Sequence, residues 1–305
     1  MRLSYDGSRG SDLGLSDDLS QVPANTVGFA KASLTAPFPT FAALDNFDNG
    51  GRSNYHAFTV TLNKRLSKGL HFQVSYNFAK NLSDMGGYNP TSYAGPAGGQ
   101  TTDYYNPNID YGNVAFTRRN RFLTSFLYET SSHSGNRIVK QALGGWELAG
   151  SLVFQSGPFL TVLAPGADPA GTNFPNSNNN GDGAGRADIV SGLSVVPTSQ
   201  SISNWINKAA FAIPPDNIGR FGNSPAGSVV GPGTQAISLS SYRSFRYKER
   251  LALRLGISSS NLFNHPNYAP PNLFLGTAPF GTISSLQNAE GRGPRAIQLG
   301  GRLTF

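Results

Sequence analysis

The sequence predicts an all-β chain: an antiparallel transmembrane β-barrel segment of about eight long strands. Three observations predict it. The last residues, Arg295 to Phe305, alternate, with Ile297, Leu299, Gly301, Leu303 and Phe305 on one side and Gln298, Arg302 and Thr304 between them. A period of two over this length describes a strand with one oily and one wet face, near the ~9–11 residues a tilted strand needs to cross a bilayer. The composition, with no Cys, 36 Gly, 20 Pro, 13% charged and 11% aromatic residues, is that of strands and turns. Finally, long and short connections alternate along the chain.

No apolar run reaches the ~18 residues of a membrane-spanning helix. The mean hydropathy of −0.28 is compatible with a membrane protein, because only every second residue of a barrel strand faces lipid. The lack of Cys excludes disulfides and thiolate metal sites, and is usual for chains that cross an oxidising periplasm unfolded.

Taken in order, Met1 to Tyr5 reads as a short strand end followed by a Gly/Ser turn. The next strand, from about Asn54 to Leu66, sets Phe58, Val60 and Leu62 against Ala57, Thr59, Thr61 and Asn63. Ser67-Lys-Gly69 makes a tight turn into a return strand of Leu70, Phe72, Val74, Tyr76 and Phe78 against His71, Gln73, Ser75 and Asn77. From Met85 to about Gly112 the periodicity is lost. A strand from Arg121 to Glu129 and its partner from Trp146 follow, the latter setting Leu148, Leu152 and Phe154 against Glu147, Ser151 and Gln155. After a turn-rich insertion from Pro158 to about Gly233, a hairpin spans Ala236 to Tyr247 and Arg250 to Phe263. In its second arm Leu251, Leu253, Leu255 and Ile257 oppose Arg250, Ala252, Arg254 and Ser258. The terminal strand closes the series.

With a periplasmic carboxyl terminus, the segments 7–52, 85–112, 158–234 and 264–294 fall outside, and the junctions 67–69, 130–144 and 247–249 fall inside. Long extracellular loops and short periplasmic turns are what a transmembrane barrel requires, whereas a soluble sandwich has no reason to sort loop lengths by parity.

Several stretches resemble the carboxyl-terminal barrel of TonB-dependent receptors of the Oar-like type. They are Leu3-Ser-Tyr-Asp-Gly-Ser-Arg-Gly10, Ser53-Asn-Tyr-His-Ala-Phe-Thr-Val60, Ser75-Tyr-Asn-Phe-Ala-Lys80, Gly144-Gly-Trp-Glu-Leu-Ala-Gly150 with Gln155-Ser-Gly-Pro-Phe159, Asn261-Leu-Phe-Asn-His-Pro-Asn267, Phe280-Gly-Thr-Ile283 and Arg295-Ala-Ile-Gln-Leu299. The terminal pattern of Gln298, Gly300, Leu303 and Phe305 resembles the signal by which outer-membrane barrels are recognised for insertion. The resemblance implies energy-coupled uptake of a nutrient or metal chelate across the cell outer membrane, through a larger barrel around an amino-terminal plug. Its implied partners are outer-membrane lipid and lipopolysaccharide, the barrel assembly machinery, and TonB acting through the plug. Residues 1–305 then read as the carboxyl-terminal portion of such a barrel, with no plug domain, signal peptide or TonB box in this sequence, and are expected to be a fragment that does not transport by itself. Plugged transporters have about 22 strands, and eight alone would close into a tube filled by side chains.

Other chemistry is weakly supported. Asn176 to Gly185 spaces its Asn residues like a calcium loop, but only Asp182 and Asp188 are nearby and no closing Glu follows, so an exposed Asn/Gly loop is expected. His56, His71, His133 and His265 form no zinc-binding spacing, and no nucleophile elbow or acid–base pair stands out. The chain is expected to be no enzyme and to need no cofactor or metal. The net charge of +7 is scattered, with Arg121, Arg250, Arg254 and Arg302 at lumen positions, which argues against nucleic acid. Trp146 and Tyr128 are expected in an interfacial belt. Tyr88, Tyr93, Tyr104, Tyr105 and Tyr111 are the candidate ligand-facing loop residues, and Arg118 and Arg119 a candidate anion-attracting patch; loop packing and lipopolysaccharide contact are the plainer roles. A structural or adhesive outer-membrane barrel, and a soluble secreted β protein binding carbohydrate, are the alternatives.

Overall fold

The computed structural model describes residues 1–41, 44–86, 100–115, 117–130, 144–173, 184–247, 251–287 and 293–305. Eight long strands pair antiparallel in chain order: β1 (Arg2–Asp18), β2 (Asp45–Ser67), β3 (Leu70–Ser83), β4 (Asn120–Glu129), β5 (Trp146–Gln155), β6 (Thr234–Tyr247), β7 (Leu251–Ser260) and β8 (Ala296–Thr304). The two-residue strand Gly112–Asn113 adds to the end of β3. Among the described residues β1 pairs with no strand but β2, apart from a single bridge from Ser16 to Gln100, and β8 with none but β7, so the sheet is open and has two edges.

The register keeps the alternation in phase from strand to strand. Phe58 lies opposite Phe78, Phe72 opposite Phe126, Phe122 opposite Phe154, Leu152 opposite Ile237, Phe245 opposite Leu253, and Leu253 opposite Leu303. One face of the sheet is therefore predominantly apolar, and along its β8 edge it is bare, with Leu299 81% and Phe305 96% exposed. In water a patch of this extent would be an aggregation site; against acyl chains it is the expected outer face of a barrel wall. This bare face argues against the soluble alternative.

The opposite face is polar. The Asn77 amide donates to Thr59 Oγ1 at 2.8 Å, and Arg254 Nη2 donates to both Glu147 carboxylate oxygens at 3.0 Å. Between that pair lies Tyr242, its ring centroid 4.5 Å from the Arg254 guanidinium carbon. The ring covers Gly256, where a Cβ would overlap it; on the apolar face Phe126 covers Gly150 in the same way. Both glycines thus seat an aromatic ring from the neighbouring strand.

At the short-turn end Lys68 and Gly69 take φ of 50° and 76°, the left-handed pair of a two-residue hairpin turn. On the apolar face at the same end, Arg243 lies 5.2 Å from the Trp146 ring and 4.9 Å from that of Phe245. Trp146 and Tyr128 both lie at this short-turn end, the level at which aromatic and cationic side chains collect where lipid tails give way to headgroups.

Two expectations need correction. The segment 7–52 is not one loop: β1 continues to Asp18 and β2 starts at Asp45, with register shifts between Gly10 and Leu13 and between Leu13 and Leu15, and with Asp12 at φ 56°. Alternation fails there because it records contact with lipid, whereas the ladder of backbone hydrogen bonds continues without it. Nor is Met1 to Tyr5 a short strand end before a Gly/Ser turn, since β1 runs on through Gly7, Ser8 and Gly10. The long connections carry short strands of their own. The segment after β5 contains three short two-stranded sheets, pairing Phe159–Leu160 with Val229–Val230, Leu163–Pro165 with Ala184–Arg186, and Asp188–Ile189 with Phe211–Ala212.

These connections hold the hydrophobic core. Leu160, Val162, Ala187, Ile206, Phe211 and Leu275 are buried together, outside the sheet. All four long connections leave from one end of the meander and bond to one another: Gln21 Nε2 donates to Thr102 O at 2.9 Å, the Asn25 amide to Ala170 O at 2.7 Å, and the Leu163 amide to Leu273 O at 3.0 Å. They form a folded cap over that end.

Candidate functional site

The buried polar centre of the cap joins three connections. Asp110 ends a short 3-10 turn, Pro107–Asp110, and Arg186 ends the strand Ala184–Arg186. Arg186 Nη2 donates to Asp110 Oδ1 at 2.5 Å, and its Nη1 donates to Ile109 O at 2.7 Å. Thr102 donates to the same carboxylate through its amide at 2.8 Å and through Oγ1 at 2.5 Å. Gln21, from the β1–β2 connection, donates to Thr102 O and accepts from the Tyr104 amide at 2.7 Å. Burial pushes the Asp110 carboxyl up and draws the Arg186 guanidinium down, while the attraction between them opposes both shifts. Arg186 Nε is buried without a hydrogen-bond partner, so the pair fixes geometry more than it adds stability.

Beside it, Arg52 donates to Asp84 through its amide at 2.6 Å and through Nε at 3.1 Å, and to Asn108 Oδ1 through Nη2 at 2.6 Å. Its guanidinium lies 5.3 Å from the Tyr111 ring centroid. The top of β2 is thereby tied to the turn that carries Asp110.

Next to this centre is a recess of ≈ 390 Å³ with Asp103, Asn106, Arg220 and Asn223 in its lining. Arg220 binds both oxygens of Asp188 at 2.7 Å, and the Asn223 amide donates to Asp188 at 3.0 Å. The Arg220 hydrogen bonds hold the Asp188 carboxyl below the usual Asp range, whereas burial pushes that of Asp103 up. Its size falls in the range of small-molecule sites, and its amides, guanidinium and carboxylate offer both donors and acceptors. Such a lining suits reversible binding of a small polar solute.

The residues singled out by sequence are dispersed. Tyr104 and Tyr105 meet edge to face at 5.2 Å, and Tyr105 Oη donates to Gln21 O at 3.2 Å, so both belong to the cap near the recess. Tyr111 packs under Arg52. Tyr88, Tyr93, Arg250 and the segment Asn176–Gly183 lie outside the described residues. Arg119 stands between rings, 5.9 Å from Phe78 and 5.3 Å from Phe159, where it stacks the cap on the sheet. Arg118 is half-buried beside it, and Arg121 lies across from Gln155 on the polar face. The terminal signal residues sit on and just beyond the edge strand: Gln298 opposite Ser258, Gly300 opposite Gly256, Leu303 opposite Leu253, and Phe305 beyond the last pair. Sequence reasoning missed Gln21, Asp84, Thr102, Asp110, Arg186 and Arg220, for which no local spacing is a signal.

No curated protein matches the chain. Among solved structures, the outer membrane transporter YddB from Escherichia coli aligns over 99% of this chain with a TM-score of 0.46 at 9% identity. The chain spans 30% of that transporter's length. A family model described as an outer membrane beta barrel domain matches residues 1–298. On that match, which takes in seven of the eight strands whole and the start of the last, the chain belongs to the outer membrane beta barrel domain family, and its apolar face is the lipid face of an outer-membrane wall.

Proposed function

We propose that this chain is the carboxyl-terminal wall and outward cap of a TonB-dependent receptor of the Oar-like type, which takes up a nutrient or metal chelate across the outer membrane. The observation that carries the reading is the cap: four connections from one end of the wall are folded around a buried core and an ion pair, and they frame a recess lined by Asp103, Asn106, Arg220 and Asn223. A purely structural wall has no need of such a body.

The open edges at β1 and β8 support a role as part of a larger barrel, since unpaired strand edges are prohibitive in lipid. In this reading the cap holds a solute, and TonB acts through a plug within the complete barrel. Gln298, Gly300, Leu303 and Phe305 present the edge strand to the assembly machinery. Lipid and lipopolysaccharide surround the wall, nucleic acid is no partner, and the protein carries no catalytic centre.

The test is genetic. Deletion of the coding sequence and deletion of tonB in the same host should give the same growth defect on the same limiting nutrient, with no additive effect in the double deletion. A strain lacking this protein that grows normally on every nutrient for which the tonB strain fails would favour the structural or adhesive alternative.

A further inference from the structure

A second recess, of ≈ 460 Å³, lies where the apolar face of the sheet meets the cap, and the uptake reading gives it no task. Its wall is made by Tyr76, Phe122 and Phe154, and its roof by Trp205, His265 and Tyr268. The wall residues belong to the lipid-facing rows, since Tyr76 pairs with Phe122 and Phe122 with Phe154. Tyr76 Oη donates to Asn120 Oδ1 at 2.7 Å, and Trp205 Nε1 donates to Val230 O at 3.0 Å, so each ring has its polar atom satisfied. Gln155 Nε2 donates to Thr234 Oγ1, which donates to Gln287 Oε1, a chain of side chains that ties the strand ends to the cap beside the recess.

The height of this recess decides what can enter it. From the inner-belt residue Trp146 to Phe154 is eight residues of β5. At about 3.3 Å per residue and a tilt of about 40°, Phe154 stands about 20 Å above Trp146, just within the apolar band of about 25 Å. The recess therefore opens onto the outer-leaflet acyl region and is closed above by the cap.

We propose that this recess takes an acyl chain of an outer-leaflet lipid, folded up against Phe122 and Phe154 beneath Trp205. Its mouth is continuous with the lipid face of the wall, where Phe122, Phe154, Trp205 and Pro266 offer a chain apolar surface beside the polar Asn120, Gln235 and His265. A lipid held there would splint the wall to the outer connections. This inference rests on the outer-membrane wall and not on uptake.

Trp146 and Trp205 are the two tryptophans of the chain, one at each end of the lipid face. In the complete barrel, with any tryptophan outside this chain replaced by Phe, reconstituted in phosphatidylcholine bilayers brominated near the middle of one acyl chain, Trp146→Phe leaves Trp205 as the reporter and Trp205→Phe leaves Trp146 as the insertion control. The expected result is that Trp205 loses most of its emission relative to unbrominated bilayers, and that Ser156→Leu, which narrows the recess, restores it without altering quenching of Trp146. Unquenched Trp205 beside quenched Trp146 would overturn the proposal. So would quenching of Trp205 that persists in Ser156→Leu, because it would come from lipid in the general belt.

Discussion

Arg186 Nη2 donates to Asp110 Oδ1 at 2.5 Å although 76 residues separate the two, and both side chains are almost fully buried. The pair clamps the connection after β3 to the connection after β5. Removing one partner leaves an uncompensated buried charge, which costs about 3–5 kcal/mol, while replacing both by apolar groups is often neutral. Asp110→Leu and Arg186→Met should each loosen the cap, measured by proteolysis at its loops, and the double variant should be more resistant than either single one. Equal damage in all three would assign the pair a role other than mutual compensation.

The Asp188–Arg220 pair rims the cap recess and is partly open to water, with side chains 14% and 48% exposed, so its worth is about 0–1 kcal/mol. Its pH dependence has a definite sign. The Asp188 carboxyl is held below its ordinary value, so its contribution is complete above that value and is lost as pH falls through the depressed one. Asp103, pushed up by burial, acts oppositely, its contribution fading as pH rises through its raised value. Hydrogen-exchange protection of the Arg220–Ser224 segment should decline on acidification below the normal Asp range, and Asp188→Asn should flatten that decline.

The two faces of the wall should respond differently to one kind of change. A Lys at Leu253 puts a charge on the lipid face beside the inner belt, since Leu253 pairs with Phe245 next to the Trp146–Arg243 row, and should cost up to about 1 kcal/mol. Ala252→Ser, one residue away on the polar face, should be tolerated. Loss of Glu147, whose bridge to Arg254 is half-exposed, should cost under about 1 kcal/mol. Heat-modifiable migration in gels reads all three.

Phe305→Asp should hinder outer-membrane assembly, because a charge replaces the exposed ring that ends the β8 signal pattern. Normal assembly kinetics in that variant, followed by protease protection in cells, would remove Phe305 from that role.

The strands were legible because a bilayer imposes alternation: Leu251, Leu253, Leu255 and Ile257 announce β7, and the register with Gly301, Leu303 and Leu299 follows from it. Where the chain rises clear of lipid, as at Leu13 to Asp18, the constraint ends and so does the signal, although the strand does not. The cap is illegible for a different reason. Gln21, Thr102, Asp110 and Arg186 meet across separations that no local period encodes, and Arg119, which reads as a free cation, is placed between Phe78 and Phe159 by contacts that exist only once the cap has folded.

The central claim is that this sheet is a membrane wall with one face in lipid, and the chain is suited to test it because it contains no Cys. Single cysteines placed one at a time from Leu251 to Ser258 in outer membranes should label in strict alternation. Positions 252, 254 and 258 should react with a water-soluble maleimide, and positions 251, 253, 255 and 257 only with a lipid-soluble one; Gly256, which the Tyr242 ring covers, is left unchanged. Equal aqueous labelling of both sets would contradict the account.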